Sequence, residues 1–328
     1  MKSLAKFLFA TGTAVAVAVL LVLFWPVSLA EPKLLVRVPA GASLRLAAQS
    51  LNEQGVGVPA WVISGVGRLA GLSTSIKAGS YEFDQGIALW ALLRKLSSGD
   101  TSQSEVLFVE GATFRELRAR LNAQPELIHS TREMANPAIM AKLGMDGQSP
   151  EGWFFPDTYR FDKRSADIEV LQRALSAMQK QLNVVWQGRE PGLPLKNPYE
   201  LLILASIVEK ETGAAADRTQ IAGVFINRLR QGMRLQTDPT VIYGLGEQFD
   251  GNLRKADLQR DTPHNTYTRS GLPPTPICMP GLAALQAAAH PAKTDALYFV
   301  ARGDGTSQFS ATLDAHNQAV NQFQRGKP

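Results

Sequence analysis

One cysteine and four histidines are all the soft or imidazole ligands that these 328 residues offer: Cys278, and His129, His264, His290 and His316. A single cysteine excludes an intramolecular disulfide. No C-x-x-C occurs, and no two histidines stand at a metal-ligand spacing such as i, i+4, which argues against a zinc amidase or zinc peptidase. There is no K-T-G triplet, and the one S-x-x-K runs from Ser3 to Lys6 at the extreme N-terminus, which argues against a penicillin-binding-type serine enzyme. A P-loop is missing as well. No dense Lys/Arg stripe with interleaved aromatics is present, so a nucleic-acid partner is not expected. The net charge of +5 is modest and suits the neighbourhood of anionic lipid or wall polymers. Neither metal nor cofactor is expected, and elimination leaves carboxylate chemistry. Cys278, between Pro276 and Pro280, reads as a small buried apolar side chain.

Charge is also missing from the first thirty residues beyond Lys2 and Lys6. The apolar stretch Phe7–Trp25 is long enough for a helix to cross a hydrocarbon core of about 30 Å. Two lysines on its N-terminal side predict a cytoplasmic N-terminus and an extracytoplasmic remainder. Ser28-Leu29-Ala30 would suit signal cleavage, but the apolar core exceeds the about 7–15 residues of a signal peptide, which favours an uncleaved anchor. Trp25 stands where an interfacial aromatic belongs.

Beyond the anchor the pattern is α+β. A strand over Leu34–Val38 leads through Gly41 into a helix capped by Ser43 and ending near Gly55; a second helix covers Ala60–Leu69. Tyr81 and Phe83 alternate with polar residues as in a strand, and a helix from about Ile87 stops at Gly99. Val38–Asn52 and Phe108–Asn122 read as two related strand-turn-helix units. Gly41, Ser43, Arg45, Leu51 and Asn52 match Gly111, Thr113, Arg115, Leu121 and Asn122 at a constant offset of 70. Thr113 with Glu116 predicts a capping box. Asn122–Pro150 reads as an irregular or helical connector broken by prolines. Asp167–Trp186 reads as an amphipathic helix.

Asn197 and Pro198 open a helix whose run Leu201–Val208 is apolar nearly all round, which predicts burial, with Gly213 as its stop. A following helix is expected from a capping pair, Asp217 and Gln220, to Gly232. Gly303-Asp304-Gly305 predicts a hairpin, and a last helix is expected after Asp314. The buried helix ends in Glu209-Lys210-Glu211-Thr212. Glu209 and Glu211 are two apart and point to different sides, so they cannot act as a facing pair. At a helix C-terminus the dipole raises a carboxyl's pKa, and burial raises it further, as a general acid requires. On spacing alone, two solvated glutamates beside Lys210 are the stronger reading, since charged residues are mostly exposed.

From about Glu151 to Phe309 the sequence resembles the endolytic murein transglycosylases of the YceG-like family. The resemblance rests on Glu151-Gly152-Trp153-Phe154-Phe155-Pro156-Asp157-Thr158-Tyr159, Glu209-Lys210-Glu211-Thr212, Asn227-Arg228-Leu229 and Leu235-Gln236-Thr237-Asp238-Pro239-Thr240-Val241 with Tyr243-Gly244. It continues through Asn265-Thr266-Tyr267, Gly271-Leu272-Pro273-Pro274 and Ala287-Ala288-Ala289-His290-Pro291. The segment Pro39-Ala40-Gly41-Ala42-Ser43 is similar to a LysM-type unit. The resemblance implies four parts: a cytoplasmic tip and anchor (1–30), a small LysM-like α+β module (31–104), a second strand-turn-helix unit with connector (105–150), and an α-rich, lysozyme-like catalytic domain with a small β insert (151–328). Lytic transglycosylases place their acid before a small hydroxyl residue, and Glu211-Thr212 fits where Glu209-Lys210 does not. The implied activity is that of a membrane-anchored lyase. It would cut the MurNAc–GlcNAc bond within nascent peptidoglycan strands and leave 1,6-anhydro ends. Peptidoglycan, the bilayer through residues 7–25 and peptidoglycan synthases are the implied partners. Gln236, Thr237, Asp238, Asn265, Tyr267 and Glu209 are candidate substrate-binding or tuning residues, each with an alternative as loop capping. Trp153 and Tyr159 are expected in core packing. Two other functions stay open here: a non-catalytic peptidoglycan-binding scaffold, and a muramidase-type hydrolase pairing Glu211 with Glu151 or Asp238.

Overall fold

A computed structural model describes residues 11, 13, 17 and 20–325. Most of the expected membrane-spanning stretch, 7–25, lies outside the described residues. Residues 20–24 are helical, and among the described residues no helix is long and apolar enough to cross a membrane. The architecture is α+β: many short helices with three two-stranded sheets. The chain divides into two compact units. One holds Met1–Glu105, Glu126–Ile128 and Arg160–Ser165; the other holds Val106–Pro125, His129–Tyr159 and Ala166–Pro328.

The first unit is built on β1 (Lys33–Val38) and β2 (Gly79–Asp84). They pair antiparallel, from Lys33 opposite Asp84 to Val38 opposite Gly79. Three helices, α1 (Leu44–Glu53), α2 (Ala60–Leu69) and α3 (Leu89–Ser98), complete its core. Period-2 alternation puts Val36, Val38, Tyr81 and Phe83 inward, where they meet Leu51, Ile63, Leu92, Leu93 and Leu96, all buried. Gly99 closes α3 in the left-handed conformation, as the sequence predicts.

β3 (Gln103–Leu107) and β4 (Thr158–Asp162) pair with each other, and the chain passes from one unit to the other within both strands. α4 (Phe114–Asn122) follows β3. Its N-terminus carries the expected capping box: the Thr113 amide donates to Glu116 Oε2 at 2.7 Å, and the Glu116 amide donates to Thr113 Oγ1 at 3.3 Å. The two related sequence segments share local geometry. Gly41 and Gly111 have φ of +73° and +74°, and Ser43 and Thr113 both cap the helix that begins one residue later. A side chain would resist that φ, which explains why both turns carry glycine.

In the second unit, α5 (Asn136–Lys142) lies within the connector and α6 (Asp167–Gln187) is the expected amphipathic helix. α7 (Pro198–Glu211) is buried continuously from Leu201 to Val208, packed among α6, α8 (Arg218–Arg230) and α11 (Leu282–Ala289). Asn197 Oδ1 accepts from the Glu200 amide at 3.0 Å and starts α7 as read from sequence. α9 (Asp238–Leu245) and α10 (Lys255–Gln259) lie between α8 and α11 in the chain. β5 (Tyr298–Ala301) and β6 (Ser307–Ser310) form the expected hairpin, and α12 (Leu313–Val320) follows.

α7 ends at Glu211 with extended Thr212, φ −147°, at its cap and Gly213 directly beyond, where the stop was expected. Three other sequence expectations are corrected. Asp217 does not cap α8: its backbone is helical and its side chain makes no cap bond, so the pair with Gln220 does not form. The last helix begins at Leu313, with Thr312 rather than Asp314 at its cap. β4, α9 and α10 fall where no element was read: Thr158–Asp162 does alternate polar and apolar residues as a half-buried strand should, whereas α9 and α10, of eight and five residues, are too short to show a helical period. Leu202, fully buried beside Gly152, tests the core around α7. Leu202→Ala is expected to lower the unfolding free energy by about 2–5 kcal/mol, against about 1 kcal/mol for the half-buried cap change Thr113→Ala, measured by urea denaturation.

Candidate active site

An all-round apolar helix must lie inside a domain, and its first polar residues emerge where that interior ends. For α7 these are Glu209, Lys210 and Glu211. Their angular spacing sends the two carboxylates to different neighbours. Glu209 Oε2 accepts from the Gly281 amide at 2.9 Å. The same glycine is crowded by the Glu110 carboxylate, which would overlap a Cβ placed there. Burial first, and Glu110 as well, push the Glu209 pKa up, against the Gly281 bond. Lys210 reaches the Gly111 carbonyl at 3.3 Å. Glu209 therefore braces the Gly281 loop and shares no hydrogen-bond partner with Glu211.

Glu211 stays partly open as a residue, while protein surrounds its carboxyl. Its Oε1 accepts from the Thr237 hydroxyl. Burial raises its pKa from 4.5 to about 7; nearby Asp238 adds to the rise, and the Thr237 bond and the Arg228 charge oppose it. The carboxyl is thus poised to be neutral or charged near neutral pH.

Thr237 is held by its own backbone. Its amide donates to Thr266 Oγ1 at 3.1 Å and its carbonyl accepts from Thr240 Oγ1 at 2.8 Å. The two partner hydroxyls are 2.9 Å apart. Gln236, just before it, takes φ +50°, a left-handed conformation that non-glycine residues adopt at a cost. That turn lets Leu235 and Thr237 both face inward while the Gln236 side chain stays exposed. Asp238 opens α9, is exposed, and accepts from the Tyr267 hydroxyl at 2.5 Å. Gln236, Thr237, Asp238 and Tyr267 are therefore gathered beside Glu211.

Asn265 belongs to this segment in a different way. It is fully buried, donates to the carbonyls of Asp257, Leu258 and Arg260, and accepts from the Tyr267 amide at 2.8 Å. It organises the loop that carries Thr266 and Tyr267 and exposes no polar atom. Trp153 stacks on Tyr199 at 5.6 Å, and Tyr159 donates to the Phe155 carbonyl, both in packing roles.

Two residues stand out that the sequence reading did not select as site residues. Arg228 on α8 is buried. It donates to the carbonyls of Leu297 and Leu235 at 2.7 Å each, and its guanidinium lies 5.3 Å from the Tyr298 ring centroid. It is a buried cation beside a buried acid, and it fastens the segment leading to Thr237. Glu151 is the second, weighed from sequence only as a hydrolase partner. Its Oε1 accepts from the Phe114 amide at 2.9 Å and its Oε2 from the Tyr243 hydroxyl at 3.1 Å. Burial raises it to about 7 as well. Neither partner is shared with Glu211. In the sequence Glu151 was marked by its place at the head of the motif that runs to Tyr159 and as an alternative hydrolase partner, and its burial came only with the structure. For Arg228 the sequence showed no more than its place in Asn227-Arg228-Leu229.

Comparison with known proteins gives consistent matches. The model of the YceG-like family matches residues 36–322. The endolytic murein transglycosylase of Bacillus subtilis (strain 168) is 33% identical over 308 residues, covering 88% of this chain and 84% of that protein. That of Streptococcus pneumoniae (strain R6) is 26% identical over 319 residues, 87% of this chain and 57% of that protein. A crystal structure of a YceG-like protein from Listeria monocytogenes superposes with a TM-score of 0.56 at 30% identity, covering 88% of this chain and 99% of that one.

Two measurements follow from the electrostatics. Glu211 and Glu151 have folded-state pKa values near 7, above the ordinary 4.5. Their contribution to stability is full below about pH 4.5 and is lost as pH rises toward about 7. Glu211→Gln removes one share of this loss and should be more stable than the parent at about pH 8 by roughly 1–3 kcal/mol, with little gain at about pH 4, by urea denaturation. Thr237→Val removes a bond that favours the ionised form, so Glu211 should titrate higher still when followed by carboxyl-carbon NMR.

Proposed function

The chain belongs to the YceG-like family, and from that premise we propose that it cleaves peptidoglycan glycan strands as an endolytic murein transglycosylase, a lyase, with Glu211 as its single acid and base. The carrying observation is the Glu211 carboxyl at the end of a buried helix, raised by desolvation to about 7 and held by Thr237 beside Arg228.

In this reading neutral Glu211 protonates the oxygen between MurNAc and GlcNAc, and the C1–O bond breaks. The substrate's N-acetyl carbonyl stabilises the cation that develops at C1. Ionised Glu211, favoured at this stage by the Thr237 hydroxyl and the Arg228 charge, takes the proton of the MurNAc 6-hydroxyl while O6 bonds to C1. The proton given to the leaving oxygen is replaced by the one taken from O6. The product is a 1,6-anhydro end, and no water is consumed. Exposed Gln236 and Asp238, with Tyr267, are the side chains we assign to sugar hydroxyls; Thr237 acts on Glu211 itself. Glu209 and Asn265 act through the loops they hold. The separate hydrogen-bond sets of Glu151 and Glu211 speak against a hydrolase that pairs these two carboxylates; for a pairing with Asp238 the product ends decide.

The finer assignments belong to the same proposal. Residues 7–25 anchor the chain in the plasma membrane with the N-terminus cytoplasmic. The first unit acts as a LysM-like glycan grip and the second as a lysozyme-like catalytic domain, working on nascent strands beside peptidoglycan synthases. The full chain in detergent should release anhydro-ended fragments from isolated glycan strands, identified by mass. Glu211→Gln should slow this about 10²–10⁴-fold with an unchanged circular dichroism spectrum, and the parent's rate should fall above about pH 7, where the acid loses its proton. Reducing ends in place of anhydro ends, or undiminished release by the variant, would overturn the assignment.

A further inference from the structure

We propose that one face of the first unit, carrying Trp25, Trp61 and Trp90, rests in the headgroup–acyl boundary of the bilayer, so that this unit is seated on the membrane rather than merely tethered to it. The inference rests on the anchor proposed for residues 7–25 and goes beyond it.

Three chain segments meet at this face, and none carries a charge: 20–30, 54–67 and 86–93 contain no Asp, Glu, Lys, Arg or His. They are stitched together by backbone bonds. The Val27 amide donates to the Ile87 carbonyl at 2.8 Å, and the Gly57 amide to the Ser28 carbonyl at 2.8 Å. Bridges pair Pro26 with Ala88 and Leu29 with Val56. An apolar groove results, lined by Leu21, Val22, Trp25, Val58, Val62 and Leu89. Trp61 and Trp90 stand in the first turns of α2 and α3, next in sequence to groove residues Val62 and Leu89. They are 77% and 37% exposed, and Trp25 is 67% exposed.

Large exposed apolar side chains gathered on a charge-free surface mark a binding face. Several partners could cover such a face, and its connection to the chain selects one. Helical residues 20–24 run directly into the groove from the apolar stretch, so the face lies where the anchor leaves the membrane. Tryptophan, with an apolar body and one N–H donor, favours that depth. Charges return only outside the three segments, at Glu31, Glu53, Arg68, Asp84 and Arg94.

The full chain with Trp25, Trp153 and Trp186 changed to Phe leaves Trp61 and Trp90 as the only indoles. It is to be reconstituted into phosphatidylcholine–phosphatidylglycerol vesicles whose acyl chains carry bromine near the headgroup. The expected results are flotation with the vesicles and about twofold lower indole emission than in unbrominated vesicles. The native chain carrying Trp61→Phe and Trp90→Phe should lose the matching share of its quenching, which guards against misfolding of the triple variant. Flotation without quenching overturns the seated face and leaves the anchor standing. Failure to float overturns both. An emission change that follows protein density and ignores bromine assigns the face to a second copy and overturns the proposal.

Discussion

Removing one carboxyl group from water is the constraint around which the second unit is arranged. Glu211 can be desolvated because α7 beneath it is apolar on every side and its interior positions are covered by α6, α8 and α11. A lone buried carboxylate would be costly, so the surroundings answer with a hydroxyl from Thr237 and a positive charge from Arg228, enough to bring its pKa to about 7 rather than beyond. The opposing influences matter together: burial makes the group a proton donor, and the two partners keep its conjugate base attainable.

Those partners are positioned by a second layer of bonds. Arg228 is fixed by carbonyls of Leu297 and Leu235, so hairpin β5–β6 and the segment before Thr237 both register against α8. Thr237 is locked between Thr240 and Thr266, and the loop bearing Thr266 is shaped by buried Asn265. The left-handed turn at Gln236 is the strained element of this arrangement, and it lies one residue from the hydroxyl that touches Glu211. Most of the polarity around the site thus serves precision, with Gln236, Asp238 and Tyr267 left on the open side.

The first unit follows another logic. Its core closes β1 and β2 under three helices, yet tryptophans remain outside on segments without charge. Seated on lipid, such a unit would hold the chain's exit from the bilayer rigidly through the bonds at Val27 and Gly57. Both strand-turn-helix segments reuse one local solution, a left-handed glycine followed by a hydroxyl cap, although only Thr113 adds the reciprocal Glu116 bond.

Local chemistry explains which parts were legible without coordinates. Ser43, Thr113 and Asn197 cap helices through bonds spanning three residues, and the burial of α7 follows from its composition. Asp217 misled because its neighbours admit a helical backbone at the cap position; β4 does carry a period-2 alternation that went unread, while α9 is too short to show a helical one. The choice of Glu211 over Glu209 rested on resemblance, since spacing says only that they diverge. That Glu211 meets Thr237 across 26 residues, that Glu151 is shared by the Phe114 amide and Tyr243, that Arg228 lies buried near an acid, and that Asn265 faces inward are long-range facts. Desolvation and hydrogen bonding depend on which distant segments come together, so the sequence by itself determined where helices start and which one is buried, and only the tertiary structure decided which carboxyl loses its water and which groups answer its charge.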